Sequence, residues 1–160
     1  MRKTCTHQAP MPAIGEGKRG EAGHIGYLLR QAHAAHRIRM EHALQDVGLT
    51  LPQFSVLTML ASYPGASSAD LARLSLLTPQ TLSVIVGNLA RAGAVSRRPH
   101  AQHGRIQVIE LTAAGESLLA SGKAATQAVE AALLADIPAD EERAVRHWLV
   151  QIAKRLDDIG

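Results

Sequence analysis

The chain has 160 residues, enough for one ordinary domain or two small linked lobes with a real hydrophobic core. Hydrophobic residues make up 46% of the sequence and aromatic residues only 2%. This composition excludes a largely disordered chain and favours packed helices over a β-sandwich. The formal net charge of +3 is modest, but the basic residues are unevenly distributed.

The sequence contains a single cysteine, Cys5, so one chain cannot form a disulfide framework. No apolar run reaches the roughly 18 residues that a membrane span requires. No hydrophobic stretch follows Arg2 and Lys3, as it would in a secretory signal. We therefore expect a cytoplasmic protein with no membrane segment, in which Cys5 is an ordinary thiol of the N-terminal tail.

Residues 1–20 combine prolines and glycines with polar residues, which predicts a disordered tail. Residues 22–47 carry apolar side chains at near-helical spacing, and Gly48 ends this first helix. Thr50 caps a second helix that has Pro52 in its first turn. The predicted inner face of this second helix consists of Phe54, Leu57 and Leu60.

Two short helices are predicted next. The third, roughly Ser68 to Ser75, follows Ser67, and its inward residues are expected to be Leu71, Ala72 and Leu74. Thr78 followed by Pro79 is a strong start signal for a fourth helix, which runs to about Ala92 and ends at Gly93. The predicted buried positions of the fourth helix are Leu82, Ile85, Val86 and Leu89.

Residues 94–98 and 106–111 are typical of two short strands that form a hairpin. Thr112 caps a long fifth helix from about Ala113 to Ala135, and a last helix runs from about Ala139 to Leu156. The apolar residues that share one side of this last helix are Val145, Trp148, Leu149 and Ile152.

The third and fourth helices form a helix-turn-helix pattern, and the hairpin after them makes it a winged one. The second helix of such a motif fits the major groove of B-DNA and presents its N-terminal residues to base edges and phosphates. Amides, hydroxyls and an apolar contact from Val84 to a thymine methyl suit that task. The residues left exposed on the fourth helix are Pro79, Gln80, Thr81, Ser83, Val84, Gly87, Asn88 and Arg91.

The charge distribution also favours a nucleic-acid partner. No acidic residue lies between Asp70 and Glu110, whereas nine acidic residues stand against five lysines and arginines from Glu110 to the C-terminus. Such a positive segment is typical of a polyanion-binding surface. The alternative is a solvated basic face without a partner. The arginines of the segment are Arg73, Arg91, Arg97, Arg98 and Arg105.

The chain resembles the MarR family of bacterial transcriptional regulators in LTLPQFSVLTML, in SSADLARLSLLTPQTLSVIVGNLARAGAVSRRP and in the wing end RIQVIELTAAG. The resemblance covers about residues 22–158, and its most specific part ends in the Leu-Thr-x-x-Gly signature at 111–115. It implies a mainly α fold with a small β-hairpin wing. It assigns residues 49–111 to the winged helix-turn-helix, and residues 21–48 with 112–160 to a helical dimerisation region.

The resemblance further implies a homodimer that binds a pseudo-palindrome in double-stranded DNA. It implies a repressor that is released by a small, often aromatic or phenolic, ligand. With the residue chemistry above, it leads to one predicted set of DNA-contacting residues. They are Ser68, Thr78, Pro79, Gln80, Thr81, Ser83, Val84, Asn88, Arg91, Arg97, Arg98 and Arg105.

The chain departs from the family pattern at two places. The family wing tip usually carries Asp and then Asp-Arg-Arg, where this chain has His100 and then His103-Gly104-Arg105. Arg105 is therefore the residue expected beside the minor groove, without the acids that often brace it. Protonation of His100 and His103 below about pH 6.5 would raise DNA affinity. Val84 replaces the usual arginine of the recognition helix, which changes the expected base preference.

A family pocket would lie between the first helix, the second helix and the start of the fifth. An arginine or histidine there would pair with a carboxylate or phenolate ligand. The alternative is that the aromatic and methionine side chains belong to the core and that the charged ones are solvated. The predicted lining residues are Tyr27, Arg30, His33, His36, Arg37, Phe54 and Met59.

Other functional classes are less well supported. His33 and His36 have a spacing that can chelate a metal, but zinc-sensing relatives draw on histidines of the second and fifth helices, and the fifth helix here has none. No nucleophile elbow, P-loop or dinucleotide fingerprint is present, so no enzyme, metal or cofactor is expected. A helical protein-interaction module with a winged fold is the remaining alternative.

Overall fold

The computed structural model describes residues 11–99 and 107–157. These residues form a mainly helical fold with one antiparallel hairpin, as the sequence predicts. The helices and strands are α1 (Ile25–Gln45), α2 (Leu51–Ser62), α3 (Ser68–Leu74), α4 (Pro79–Arg91), β1 (Val95–Pro99), β2 (Gln107–Leu111), α5 (Ala113–Leu133) and α6 (Ala139–Asp157). None of the described helices is both long and apolar enough to cross a membrane.

The chain divides into two compact units, one up to Arg39 and one from Met40 onward. In the first unit, Gly17–Arg19 form a short 3₁₀ helix. Arg19 Nη1 donates to the Pro12 carbonyl at 2.8 Å, and Gln31 Nε2 donates to the Arg19 carbonyl at 3.1 Å. The prediction of a disordered tail is therefore wrong for residues 11–20, because hydrogen bonds from α1 and within the segment order it. Residues 1–10, with Cys5, lie outside the described residues.

In the second unit, the predicted helix starts are made by side-chain caps. Thr50 Oγ1 accepts from the Gln53 amide at 3.3 Å, and Gln53 Oε1 accepts from the Thr50 amide at 2.9 Å, which completes a capping box. Thr78 Oγ1 accepts from the Thr81 amide at 3.1 Å. These caps satisfy amides that have no partner inside the helix, and they fix where α2 and α4 begin.

The core of the second unit lies between α2, α3, α4, the hairpin and α5. All four predicted inward positions of α4 are buried, as are Leu57 and Leu60 of α2, while Phe54 is half-buried. Burial of such side chains stabilises the fold by about 1.5–3 kcal/mol each. The largest fully buried side chains are Leu44, Leu57, Leu71, Leu89, Val56 and Val86.

The prediction that Leu74 faces inward is wrong, since this side chain is 36% exposed. Leu71, Ala72 and Ser75 are buried and lie on one face at helical spacing. Each residue of a helix advances by about 100° around the axis, so Leu71, Ala72 and Ser75 lie within one sector of about 100°. Leu74 lies outside this sector, about 100° from its centre. In the turn after α3, Leu76 has a φ of 55° and is 92% exposed.

The hairpin pairs Val95 with Leu111 at one end and Pro99 with Gln107 at the other. It continues directly from α4, because Gly93 takes a φ of 74° that few other residues adopt. The predicted wing-tip residues His100, His103 and Arg105 lie outside the described residues.

Candidate nucleic-acid interface

The N-terminal end of α4, with its cap Thr78, is the first part of the candidate interface. Pro79 occupies the first helical position, where its missing N–H leaves no unpaired donor. The first turn contains no acidic residue, so the positive end of the helix dipole is not neutralised there. Thr78 and Thr81 hydroxyls lie 2.8 Å apart and share a hydrogen bond. The start of α4 therefore presents amides, hydroxyls and a positive helix end to solvent.

The structure exposes most of the predicted DNA-contacting side chains of α4. Gly87 and Asn88 are half-buried, and Val84 is 63% exposed. The guanidinium of Arg91 donates to Asn88 Oδ1, so these two predicted residues come together near the end of the helix. The exposed residues of α4 in this set are Pro79, Gln80, Thr81, Ser83, Val84 and Arg91.

A cleft joins the starts of α3 and α4 to the wing. Ser68 lies at the start of α3, Pro79 and Ser83 on α4, and Arg97 on β1. Their apolar neighbours in the cleft include Leu82 and Ile109. Four residues that the sequence predicts as DNA contacts thus share one concave surface: Ser68, Pro79, Ser83 and Arg97.

The adjacent arginines of β1 lie on opposite faces of the hairpin. Arg97 pairs in register with Ile109, the residue that lies with it in the cleft, whereas Arg98 pairs with Val108. Arg98 Nε donates to Glu110 Oε2 at 2.6 Å, and Arg98 Nη2 donates to Glu110 Oε1. This ion pair lowers the pKa of the Glu110 carboxyl and raises the pKa of Arg98. The predicted DNA contact of Arg98 therefore competes with an intramolecular ion pair.

The predicted effector-lining residues are described unit by unit. In the first unit, Tyr27 and Arg30 line an open groove, His33 and Arg37 are exposed, and His36 is half-buried. In the second unit, Phe54 lies against Gly122, where an added Cβ would be 2.8 Å from the Phe54 ring. Met59 packs against the core. A single pocket formed by all these residues stays a prediction.

The next question is whether side chains that could bind a metal lie together among the described residues. Within the ranges 11–99 and 107–157, no three side chains of His, Cys, Asp or Glu come together in a way that could hold a metal ion. His33 and His36 both lie on α1, and His36 has an interaction partner of its own.

Comparison with known proteins identifies the family. Residues 47–106 match the family model described as MarR family. The HTH-type transcriptional repressor Rv2887 of Mycobacterium tuberculosis is 38% identical over 128 residues, which cover 80% of this chain and 92% of that repressor. The chain belongs to the MarR family. It is thus a DNA-binding transcriptional regulator with a winged helix-turn-helix.

Two solved structures of that mycobacterial MarR protein resemble this MarR-family chain. The complex with salicylic acid is 37% identical with a TM-score of 0.65, and the match covers 82% of this chain and 98% of the other. The complex with DNA is 35% identical with a TM-score of 0.65, and the match covers 81% and 98%.

Sequence reasoning missed one structural role in the MarR signature. Thr112 was predicted only as a helix cap. This prediction is confirmed, since Thr112 Oγ1 accepts from the Gly115 amide at 3.1 Å. The same hydroxyl donates to the Gly93 carbonyl at 2.6 Å, and the Thr112 amide donates to the Ala94 carbonyl at 3.1 Å. Gly115 lets the two backbones approach, since an added Cβ would lie 1.9 Å from the Ala94 oxygen. We call these contacts of Gly93, Ala94, Thr112 and Gly115 the wing clamp.

A glycine in the first turn of a helix was the available signal for this contact. Glycine weakens a helix unless something requires its missing side chain. In this MarR-family chain, the close approach of the Ala94 carbonyl supplies that requirement.

Proposed function

We propose that this protein is a homodimeric, cytoplasmic repressor that binds a pseudo-palindromic operator and is released by a small aromatic or phenolic acid. The exposed N-terminal half of α4 is the observation that carries the proposal. Its four inward residues are all buried, so the core fixes which side faces outward. That side carries Gln80 and Thr81 and borders the cleft that contains Arg97.

The proposed contacts follow from side-chain chemistry. Gln80 and Asn88 have amides that bond adenine in the major groove, and Val84 suits a thymine methyl. Ser68, Ser83 and Arg97 suit phosphates at the edges of the groove. Arg105 remains the proposed minor-groove residue on sequence grounds alone.

The dimer is supported by an apolar face of α6. No residue of this helix is buried, although Val145, Trp148 and Leu149 are large, apolar and at least 40% exposed. An apolar face of this kind marks an interaction surface. Two protomers related by a two-fold axis would place two α4 helices in successive major grooves, about 34–36 Å apart.

Release by an aromatic acid is supported by the relative that was solved with salicylic acid. In this chain, Tyr27 and Arg30 share a groove on α1, where an aromatic ring and a guanidinium suit an aromatic carboxylate. The other proposed lining residues remain His33, His36, Arg37, Phe54 and Met59.

The test is a fluorescence anisotropy titration with the DNA upstream of the gene that encodes this protein. We expect a Kd of about 10⁻⁸ M or below at physiological salt. Salicylate in millimolar amounts should weaken this binding, and it should do so less in an Arg30→Ala variant. Absence of binding below about 10⁻⁶ M would favour the alternative of a protein-interaction module.

Gln80→Ala tests the assignment of α4. We expect a loss of about 1–3 kcal/mol in binding to the upstream DNA, because one bidentate base contact disappears. The salt dependence should not change, because glutamine neutralises no phosphate. Gln127→Ala, which removes an exposed glutamine from α5, is the matched control and should bind as the wild type does. Equal affinities of the two variants would contradict the α4 assignment.

A further inference from the structure

The ion pair of Arg98 and Glu110 lies across the two strands of the wing. Glu110 is opposite Ser96 in the register, and Arg98 is opposite Val108, so the pair forms a diagonal contact on one face. Both oxygens of the carboxylate accept from the guanidinium fork, and the Nε to Oε2 distance is 2.6 Å. The side chains are 60% and 37% exposed, so the pair lies at the surface of the wing.

Both acids that bound the acid-free segment pair with arginines inside it. Asp70, the last acid before the segment, contacts Arg73 at 2.5 Å, and Glu110, the first acid after it, contacts Arg98. Within the described part of the segment, Arg91 and Arg97 form no ion pair with a carboxylate. The positive charge that the sequence places here is therefore partly neutralised before any partner binds.

We propose that Glu110 is a specificity-determining residue that neutralises Arg98 and thereby weakens sequence-independent binding of the wing to DNA phosphates. The inference rests on the proposed function, since it concerns the same DNA interface. It leaves Arg97, on the opposite face and in the cleft beside α4, as the wing cation of β1 that contacts DNA.

The physical basis is counterion release. An arginine strengthens DNA binding by neutralising a phosphate and releasing its condensed cation, and this contribution appears in the salt dependence of the Kd. A guanidinium held by a carboxylate in a two-pronged contact neutralises less phosphate charge. Arg98 holds the pKa of Glu110 below its usual range, so the carboxylate stays ionised at neutral pH.

Specificity improves because the two kinds of binding respond differently. Non-specific binding depends almost entirely on phosphate contacts, whereas operator binding also gains from base contacts. In operator binding, the base contacts of α4 fix an orientation in which the face of Arg97, and not that of Arg98, lies against the DNA. Non-specific binding has no such constraint and can use Arg98, so neutralisation of Arg98 lowers the non-specific affinity more than the operator affinity. Glu110 thus favours discrimination between the two kinds of DNA.

The test is Glu110→Gln, which keeps the side-chain shape and removes the charge. Full-length protein is titrated against a duplex of about 30 base pairs of mixed sequence at several salt concentrations. We expect the slope of log K against log salt to steepen by about one per protomer, and the affinity to rise up to about tenfold near 0.1 M salt. The ratio of upstream-DNA affinity to mixed-sequence affinity should fall.

Two further variants separate pairing from general charge. Glu116→Gln removes an exposed acid from the first turn of α5. This substitution should change the slope of log K against log salt by much less than Glu110→Gln does. The double variant that combines Glu110→Gln with Arg98→Gln should not show the steeper salt dependence of Glu110→Gln. Arg98→Gln should reduce the slope less in the wild-type protein than in the Glu110→Gln variant. The reason is that Glu110 already neutralises Arg98 in the wild type.

The outcomes are distinguishable. A wild-type slope and affinity in Glu110→Gln, or an equal gain in Glu116→Gln, would overturn the inference while the proposed function stands. If the wild-type protein binds neither DNA, the proposed function fails instead. Glu110→Ala repeats the measurement with the polar group absent, and thermal melts show that each variant is folded.

Discussion

At the scale of single residues, the turn between α3 and α4 contains two adjacent side chains in unfavourable surroundings. Ser75 is 6% exposed, and its hydroxyl has no hydrogen-bond partner among the described residues. A buried polar group in that state costs about 1–3 kcal/mol. Leu76 takes a left-handed φ that favours glycine, and its apolar side chain faces solvent. The turn that spaces the two helices is thus not optimised for stability.

Ser75→Ala should raise the free energy of unfolding by about 1 kcal/mol, because it removes the unpaired hydroxyl and retains the Cβ. Urea denaturation at equilibrium measures this difference. Ser62→Ala, at an exposed position at the end of α2, is the control and should change stability by less than about 0.5 kcal/mol. A loss of stability in Ser75→Ala would show that the hydroxyl has a partner in solution.

At the scale of elements, local signals predicted most of the winged motif. The caps at Thr50, Thr78 and Thr112 and the buried positions of α4 depend on residues within one turn of each other, and such spacing can be read from the chain. Leu74 was misplaced because a helix of seven residues offers too few positions to define a face.

Contacts between residues far apart in the sequence could not be predicted from local spacing. The pairing of Arg98 with Glu110 depends on the strand register, and the sequence predicts two strands without fixing that register. The contact of Gly115 with Ala94 depends on how α5 leaves the hairpin. Both features join residues 12 or more positions apart and therefore arise from tertiary packing.

Gly115→Ala should destabilise the protein by about 1–3 kcal/mol, because the added methyl overlaps the Ala94 backbone and the wing clamp must shift. Gly87→Ala is the matched control, since an added Cβ there meets nothing within 4 Å. This control should stabilise α4 by about 0.5–1 kcal/mol. Thermal melts compare the two, and wild-type stability in Gly115→Ala would contradict the close approach.

At the scale of the whole molecule, charge and apolar surface are separated along the chain. The acid-free segment includes α4 and β1, whereas the acidic residues concentrate from Glu110 onward and α6 carries an apolar face. This separation suits a protein that presents one part to DNA and another to a second copy of itself. The proposed dimer can therefore be tested without touching the DNA interface.

Val145→Lys should convert the proposed dimer into a monomer and weaken operator binding, because it places a charge on the apolar face of α6. Val150→Lys is the matched control, since the two valines are 48% and 52% exposed. Val150 lies about 140° around the helix from Val145, away from Trp148 and Leu149. Sedimentation velocity measures the oligomeric state, and a dimer in Val145→Lys would contradict the proposed interface.

The wing clamp also has a mechanical consequence. It ties the start of α5 to the residues that join α4 to β1, so these segments move together. Helix α5 has 21 residues and is about 30 Å long. A tilt of about 6° at one end of such a helix displaces the other end by about 3 Å, close to the 3.4 Å step between base pairs. Any tilt of α5 as a rigid body would therefore carry the wing clamp, and with it the end of α4, through a distance comparable to one base-pair step.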